Sequence, residues 1–204
     1  MRPAHLIWIP ALLLLVGCFS PENQYGRVWD SAKRTQTVLD VIVPPNAPSQ
    51  SNIYFRVTGP DEKEHLGIDL IGPRGIPVIA PADGRVIQVY TDPFYGKQVV
   101  IDQGRDADGN RIRTHFKHMD SQTVTVGDTV TRGQQIGTLG NTGALSGGLV
   151  HLHYEVLQEM RYGRFDQVDP NLFWVDGPGN VTCFDPARDW PAGPFRATYP
   201  VVCR

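Results

Sequence analysis

A chain of 204 residues, 41% hydrophobic and 20% charged, has the length and composition of one globular domain with some chain left over for tails. The formal net charge of -2 leaves no basic excess to attract nucleic acid, which is therefore not expected as a partner. Gly 21 and Pro 17 suit short strands joined by turns better than long helices.

At the N-terminus, Arg2 precedes an apolar stretch, residues 6–16, of signal-peptide length and too short to span a bilayer comfortably as a permanent helix. It ends in Leu15-Val16-Gly17-Cys18, which resembles the lipobox of bacterial lipoproteins, where cleavage precedes the cysteine and the thiol is lipidated. An ordinary secretory signal, or a short anchor with an incidental cysteine, are the alternatives. The lipobox reading makes 1–17 a signal peptide and Cys18 the point of attachment to a membrane, on its periplasmic side. Phe19 is not the aspartate linked to inner-membrane retention, which favours the outer membrane. With Cys18 so used, Cys183 and Cys203 remain as a pair, and an exported chain meets an oxidising compartment, so a Cys183–Cys203 disulfide is expected.

Residues 18–52 are polar and Pro-bearing and read as a tether, with residues 37–43 alternating enough to form one docked strand. From Ile53 onward strand-like runs recur at 78–80, 85–90, 98–102, 111–119, 136–139 and 150–157, separated by turn signals and without a sustained helical period. The expectation is an all-β domain over 53–175, with few or no helices, followed by a C-terminal extension, 176–204, that carries the disulfide. Asp106-Ala107-Asp108-Gly109-Asn110 begins like a calcium loop but lacks the later ligands, and a hairpin turn through Asp108-Gly109 is the favoured reading.

Histidine placement carries the chemistry. In Val150-His151-Leu152-His153-Tyr154-Glu155-Val156 the period of two puts the apolar residues on one face and His151, His153 and Glu155 on the other. In His65-Leu66-Gly67-Ile68-Asp69-Leu70 the same period puts His65, Gly67 and Asp69 on one face, the glycine leaving space for a metal. Imidazole nitrogen and carboxylate oxygen both bind zinc, and three protein ligands with an open fourth position define a catalytic site. Mn or Co would fit nearly as well. Taken singly, either pair could also be polar surface or a hydrogen-bonded couple. His115 and His118, three positions apart on one strand, point to opposite faces unless a bulge intervenes, and spacing does not choose between them.

Together these segments resemble the peptidase M23 family, the lysostaphin or LytM type of zinc endopeptidase. The resemblance rests on His65-Leu66-Gly67-Ile68-Asp69-Leu70, on Gly75-Ile76-Pro77-Val78-Ile79-Ala80-Pro81-Ala82-Asp83-Gly84-Arg85-Val86, and on Phe116-Lys117-His118-Met119, with Phe116 where tyrosine is usual. It continues through Gly127-Asp128-Thr129-Val130, Gly133-Gln134-Gln135-Ile136-Gly137, Gly140-Asn141-Thr142-Gly143 and His151-Leu152-His153-Tyr154-Glu155-Val156. It implies an antiparallel, sandwich-like fold with a groove that holds one zinc ion on His65, Asp69 and His153, and His118 and His151 as catalytic histidines. His115 matches no functional position and is assigned to the opposite face.

From that resemblance a mechanism follows. His151 accepts the proton of a zinc-activated water, and zinc and His118 stabilise the oxyanion. The Gly- and Ser-rich loop beginning at Asn141, Thr142 and Gly143 is either a groove wall or a plain connection. The implied substrate is peptidoglycan peptide, cut at D,D cross-links. Two alternatives are a non-hydrolytic partner of a cell-wall amidase and an exported protease acting on proteins, and protein regulators are possible partners.

Overall fold

Alternating residues on the central strands place one apolar row in the core and one polar row on the opposite face of a single large sheet. The structure is a computed structural model that describes residues 39–52, 65–190 and 192–204. The signal segment 1–17, Cys18 and much of the tether lie outside the described residues. Strands β1 (Ser49–Asn52), β2 (Ile68–Ile71), β10 (His151–Glu159), β6 (Arg111–Met119), β5 (Gly96–Arg105), β4 (Gly84–Asp92) and β8 (Thr129–Val130) lie side by side in that order. Strand β11 (Phe165–Val168) pairs with the far half of β10, and every pairing is antiparallel. A second sheet holds β3 (Pro77–Ile79), β9 (Gln135–Thr138) and β7 (Ser121–Gln122), in the order β3-β9-β7. Among the described residues there is no α-helix, only three short 3-10 turns at Ala144–Ser146, Arg161–Gly163 and Pro170–Leu172. The expected all-β architecture is observed.

Cross-strand partners share a face. Ile68 pairs with Tyr154, Tyr154 with Phe116 and Phe116 with Val99, and all four are buried. They join Val78, Ile136 and Leu139 in one hydrophobic cluster, so the smaller sheet adds to the apolar side of the larger one. Burial of each large apolar side chain contributes about 1.5–3 kcal/mol, which is what holds the register.

The chain after Asp176 is part of this core. Phe195, Ala197, Tyr199 and Val201 belong to the same cluster, with Tyr199 against Trp174 at 5.8 Å between ring centroids. Val201 bridges Val78 beside β3, and Thr198 and Val202 donate backbone hydrogen bonds to Pro81 and Pro77. Cys183 and Cys203 are joined in a disulfide, with 6.0 Å between their α-carbons. Of the tether, Ile42 exchanges hydrogen bonds with the extension, donating to the Gly179 carbonyl and accepting from the Val181 N–H, and it bridges Asn180.

The β5–β6 turn is a hairpin. Asp106 Oδ1 accepts from the backbone N–H groups of Asp108 and Asn110, and Gly109 takes φ +84°. The Asp106 carboxylate is taken up by the turn and by Gln158 of β10, which donates to Oδ2.

Candidate metal centre

β2 and β10 are neighbours, and their register sets Asp69 opposite His153. His65 enters from just before β2. The three ligand atoms then form a triangle: His153 Nδ1 to Asp69 Oδ1 is 2.9 Å, His65 Nε2 to Asp69 Oδ1 is 3.1 Å, and His65 Nε2 to His153 Nδ1 is 3.1 Å. Tetrahedral bonds of about 2.0–2.1 Å require edges of roughly 3.3 Å between ligand atoms, so a small contraction of a zinc site reproduces what is seen. Two imidazole nitrogens face each other with a carboxylate oxygen between them, a donor set that suits zinc. The residues present fit the ion.

Electrostatics agree with a cation site. Burial alone would raise the Asp69 carboxyl, yet hydrogen bonds from His153 and His65 outweigh it and hold the group well below the usual carboxylate range. Burial opposes the charged form of His153, but Asp69 and Glu155 on either side raise its pKa above the ordinary value. The carboxylates thus favour positive charge at this point of the sheet.

Gly67 is placed differently from expectation. A β-carbon there would lie 2.5 Å from the Tyr154 carbonyl oxygen and 2.9 Å from His153 Nε2. The space this glycine leaves is filled by β10 and the His153 ring, not by a metal.

His151 and His118 flank the triangle. His151 Nδ1–H donates to the Leu149 carbonyl at 3.0 Å, so in the neutral ring Nε2 carries the lone pair, and that atom lies 3.8 Å from Asp69 Oδ1. His118 Nδ1–H donates to the Thr142 carbonyl at 2.8 Å, and its ring centroid is 4.8 Å from that of His151. Burial pushes the His118 imidazole down to about 4, with the nearby His151 and His153 adding to the effect. At neutral pH His118 is therefore a neutral ring with its lone pair on Nε2.

A β-bulge brings His118 here. β5 pairs Lys97 with Met119 and Val99 with Phe116, so one extra residue sits on β6, and His118 takes φ +62°. Regular alternation would have sent His118 to the core face with Phe116. The assignment of His115 to the opposite face is corrected by the same register: His115 pairs with Glu155 and lies on the site's face, its Nδ1 3.6 Å from Glu155 Oε2.

The loop after β9 is tied down by its own hydrogen bonds. The Thr142 hydroxyl donates to the Met119 carbonyl at 2.7 Å and accepts from Lys97 N–H at 2.9 Å. Ser146 donates to the carbonyls of Asn141 and Gly143, and Asn141 is bonded to Arg74. Thr142 and Gly143 thus brace His118 from behind, with Gly143 packed on Gly96.

Sequence reasoning assigned no role to Glu155 or Lys117. Glu155 is 2% exposed and accepts from His153 Nε2 at 3.1 Å and from Lys117 Nζ at 2.5 Å. Burial would raise its carboxyl, but His115, His153 and the Lys117 charge hold it well below the usual range. Its place on the polar face of β10 was the available signal.

Among known proteins, the peptidoglycan DD-endopeptidase ShyA of Vibrio cholerae is 40% identical over 93 residues, which is 46% of this chain and 20% of ShyA. The chain spans about a fifth of the length of the curated relatives it matches first. Of solved structures, the catalytic domain of lysostaphin from Staphylococcus simulans superimposes with a TM-score of 0.50 at 27% identity, covering 60% of this chain and 89% of that one. A zinc-containing peptidase from Vibrio cholerae gives a TM-score of 0.50 at 29% identity, covering 64% of this chain and 39% of that one. The profile of peptidase family M23 matches residues 63–170, just over half of the chain and the segment that holds every residue of the site. The chain belongs to peptidase family M23.

Proposed function

We propose that this protein is a zinc-dependent endopeptidase that hydrolyses the peptide cross-links of peptidoglycan, at D,D bonds. The observation that carries the reading is the His65–Asp69–His153 triangle with the Nε2 lone pair of His151 3.8 Å from Asp69 Oδ1. When bound, zinc supplies a Lewis acid that polarises a peptide carbonyl and acidifies water. His151 Nε2 takes the proton of the attacking water and returns it to the departing amine. His118, held in place through Nδ1 by Thr142, is neutral at rest; as negative charge develops on the carbonyl oxygen it takes up a proton from solvent at Nε2 and donates it in a hydrogen bond to that oxygen. Kinship with a peptidoglycan DD-endopeptidase supports the choice of bond. The lipobox-like Leu15-Val16-Gly17-Cys18 supports attachment through lipid on Cys18 to the periplasmic face of a membrane, the outer one on account of Phe19.

The test is to incubate the mature protein with cross-linked muropeptides and, in parallel, with casein, with and without chelator and added zinc, and to identify products by mass spectrometry. The expected result is D,D cleavage of muropeptides, lost on chelation and restored by zinc. Cleavage of casein alone would make the protein a general protease. Binding of muropeptides or of an amidase without any cleavage would make it a non-hydrolytic partner.

A further inference from the structure

Glu155 takes no part in the proton transfers above, yet it is a charged group held almost entirely out of water. Burying a carboxylate is costly, so its surroundings should show what compensates. Three groups do. The ring N–H of His153 at Nε2 and the ammonium of Lys117 both donate to Oε1, at 3.1 Å and 2.5 Å, and His115 Nδ1 lies 3.6 Å from Oε2. The register makes this arrangement: β6 sets Lys117 opposite His153 and His115 opposite Glu155 on one face. Lys117 is itself buried and lies 4.2 Å over the Tyr95 ring, on the turn that packs against His118.

An imidazole can offer a metal only the nitrogen that carries no proton. On His153 the two nitrogens have different partners: Nδ1 faces Asp69 and His65, and Nε2 faces Glu155. We propose that Glu155 is the positioning residue for His153, accepting the Nε2 proton so that the Nδ1 lone pair is turned to the metal, with Lys117 holding that carboxylate in place. This rests on the reading of His65, Asp69 and His153 as a zinc site. A carboxylate behind a ligating imidazole both orients the ring and strengthens it as a ligand. A ring without that acceptor is free to turn over or to carry its proton on the wrong nitrogen.

The test measures zinc affinity of the purified mature protein by competition with a chromophoric chelator, for the wild type, Glu155→Gln and Glu155→Leu. Thermal unfolding of each metal-free protein is recorded alongside. Glu155→Leu is expected to bind zinc about 10–100-fold more weakly, and Glu155→Gln, whose carbonyl can still accept the proton, to recover part of that loss. Zinc-loaded wild type, which needs no variant to fold, should show a protonated Nε2 and a metal-bound Nδ1 for His153 in long-range nitrogen–proton NMR spectra. A wild type that fails to bind zinc at all would overturn the site reading, and the inference with it. Wild-type affinity in both folded variants, or zinc on Nε2 of His153, would overturn the inference alone and leave the site standing.

Discussion

His118 Nδ1 lies 2.8 Å from the carbonyl oxygen of Thr142, and the same threonine ties its hydroxyl to Met119 and Lys97 on the two strands beside it. The loop after β9 therefore aims a histidine that its own strand would have pointed into the core. Gly143 makes this possible: its φ is +83°, and a β-carbon there would lie 2.2 Å from the backbone nitrogen of Gly96.

Gly143→Ala should accordingly displace the loop and the His118 ring with it. We expect a loss of stability of about 2 kcal/mol or more, from strain at positive φ together with the clash, and a fall in hydrolysis with zinc still bound. Urea unfolding, metal analysis and a muropeptide assay check the three parts. Unchanged stability and rate would show that the loop yields without moving His118.

Metal binding and proton transfer should separate by mutation. His151→Ala should reduce hydrolysis by about 10²–10⁴-fold while retaining one zinc per chain, because His151 is not a corner of the His65–Asp69–His153 triangle. Asp69→Ala should lose the metal, since it removes one corner of the triangle. A His151→Ala protein with wild-type turnover would remove His151 from the proton path.

Acid should weaken the metal-free fold through His118. Its imidazole is held at about 4, against an ordinary value of 6.5. The unfolded chain takes up this proton near pH 6.5 and the folded chain only near 4, so the folded state loses stability as pH falls across that window and no further below it. His153, raised by its carboxylate neighbours, contributes in the opposite sense, so the difference between wild type and His118→Gln is the quantity to measure. Urea unfolding between pH 7 and pH 4 should show a shallower decline in the variant. Equal slopes would mean that His118 is protonated as readily in the fold as outside it.

The Cys183–Cys203 bridge closes a loop of 20 residues whose far end is packed into the core. Replacing both cysteines with serine should cost about 3 kcal/mol, seen as a lower urea midpoint with a steeper slope, because the denatured chain without the cross-link exposes more surface. Free thiols in the native, non-reduced protein would contradict the bridge.

Much of this protein was legible in its residues. Period-two alternation in 150–156 separates the apolar Val150, Leu152, Tyr154 and Val156 from His151, His153 and Glu155, and the folded sheet keeps that division. Strand parity is a local property, set by the pleat of a single extended chain, so one strand's sequence is enough to state it. The side on which His118 emerges is not local. It depends on an extra residue in the β5–β6 register and on a carbonyl supplied by a loop 24 positions away. For the same reason His115 was given the wrong face, the space beside Gly67 was given to a metal instead of to β10, and Glu155 was left without a role. Each of those outcomes is decided by what the neighbouring strand brings opposite. Sequence alone determined the sheet-forming pattern and the residue types able to hold a metal; pairing between distant strands decided which atoms meet, because hydrogen-bond register, unlike parity, needs two chains to define it.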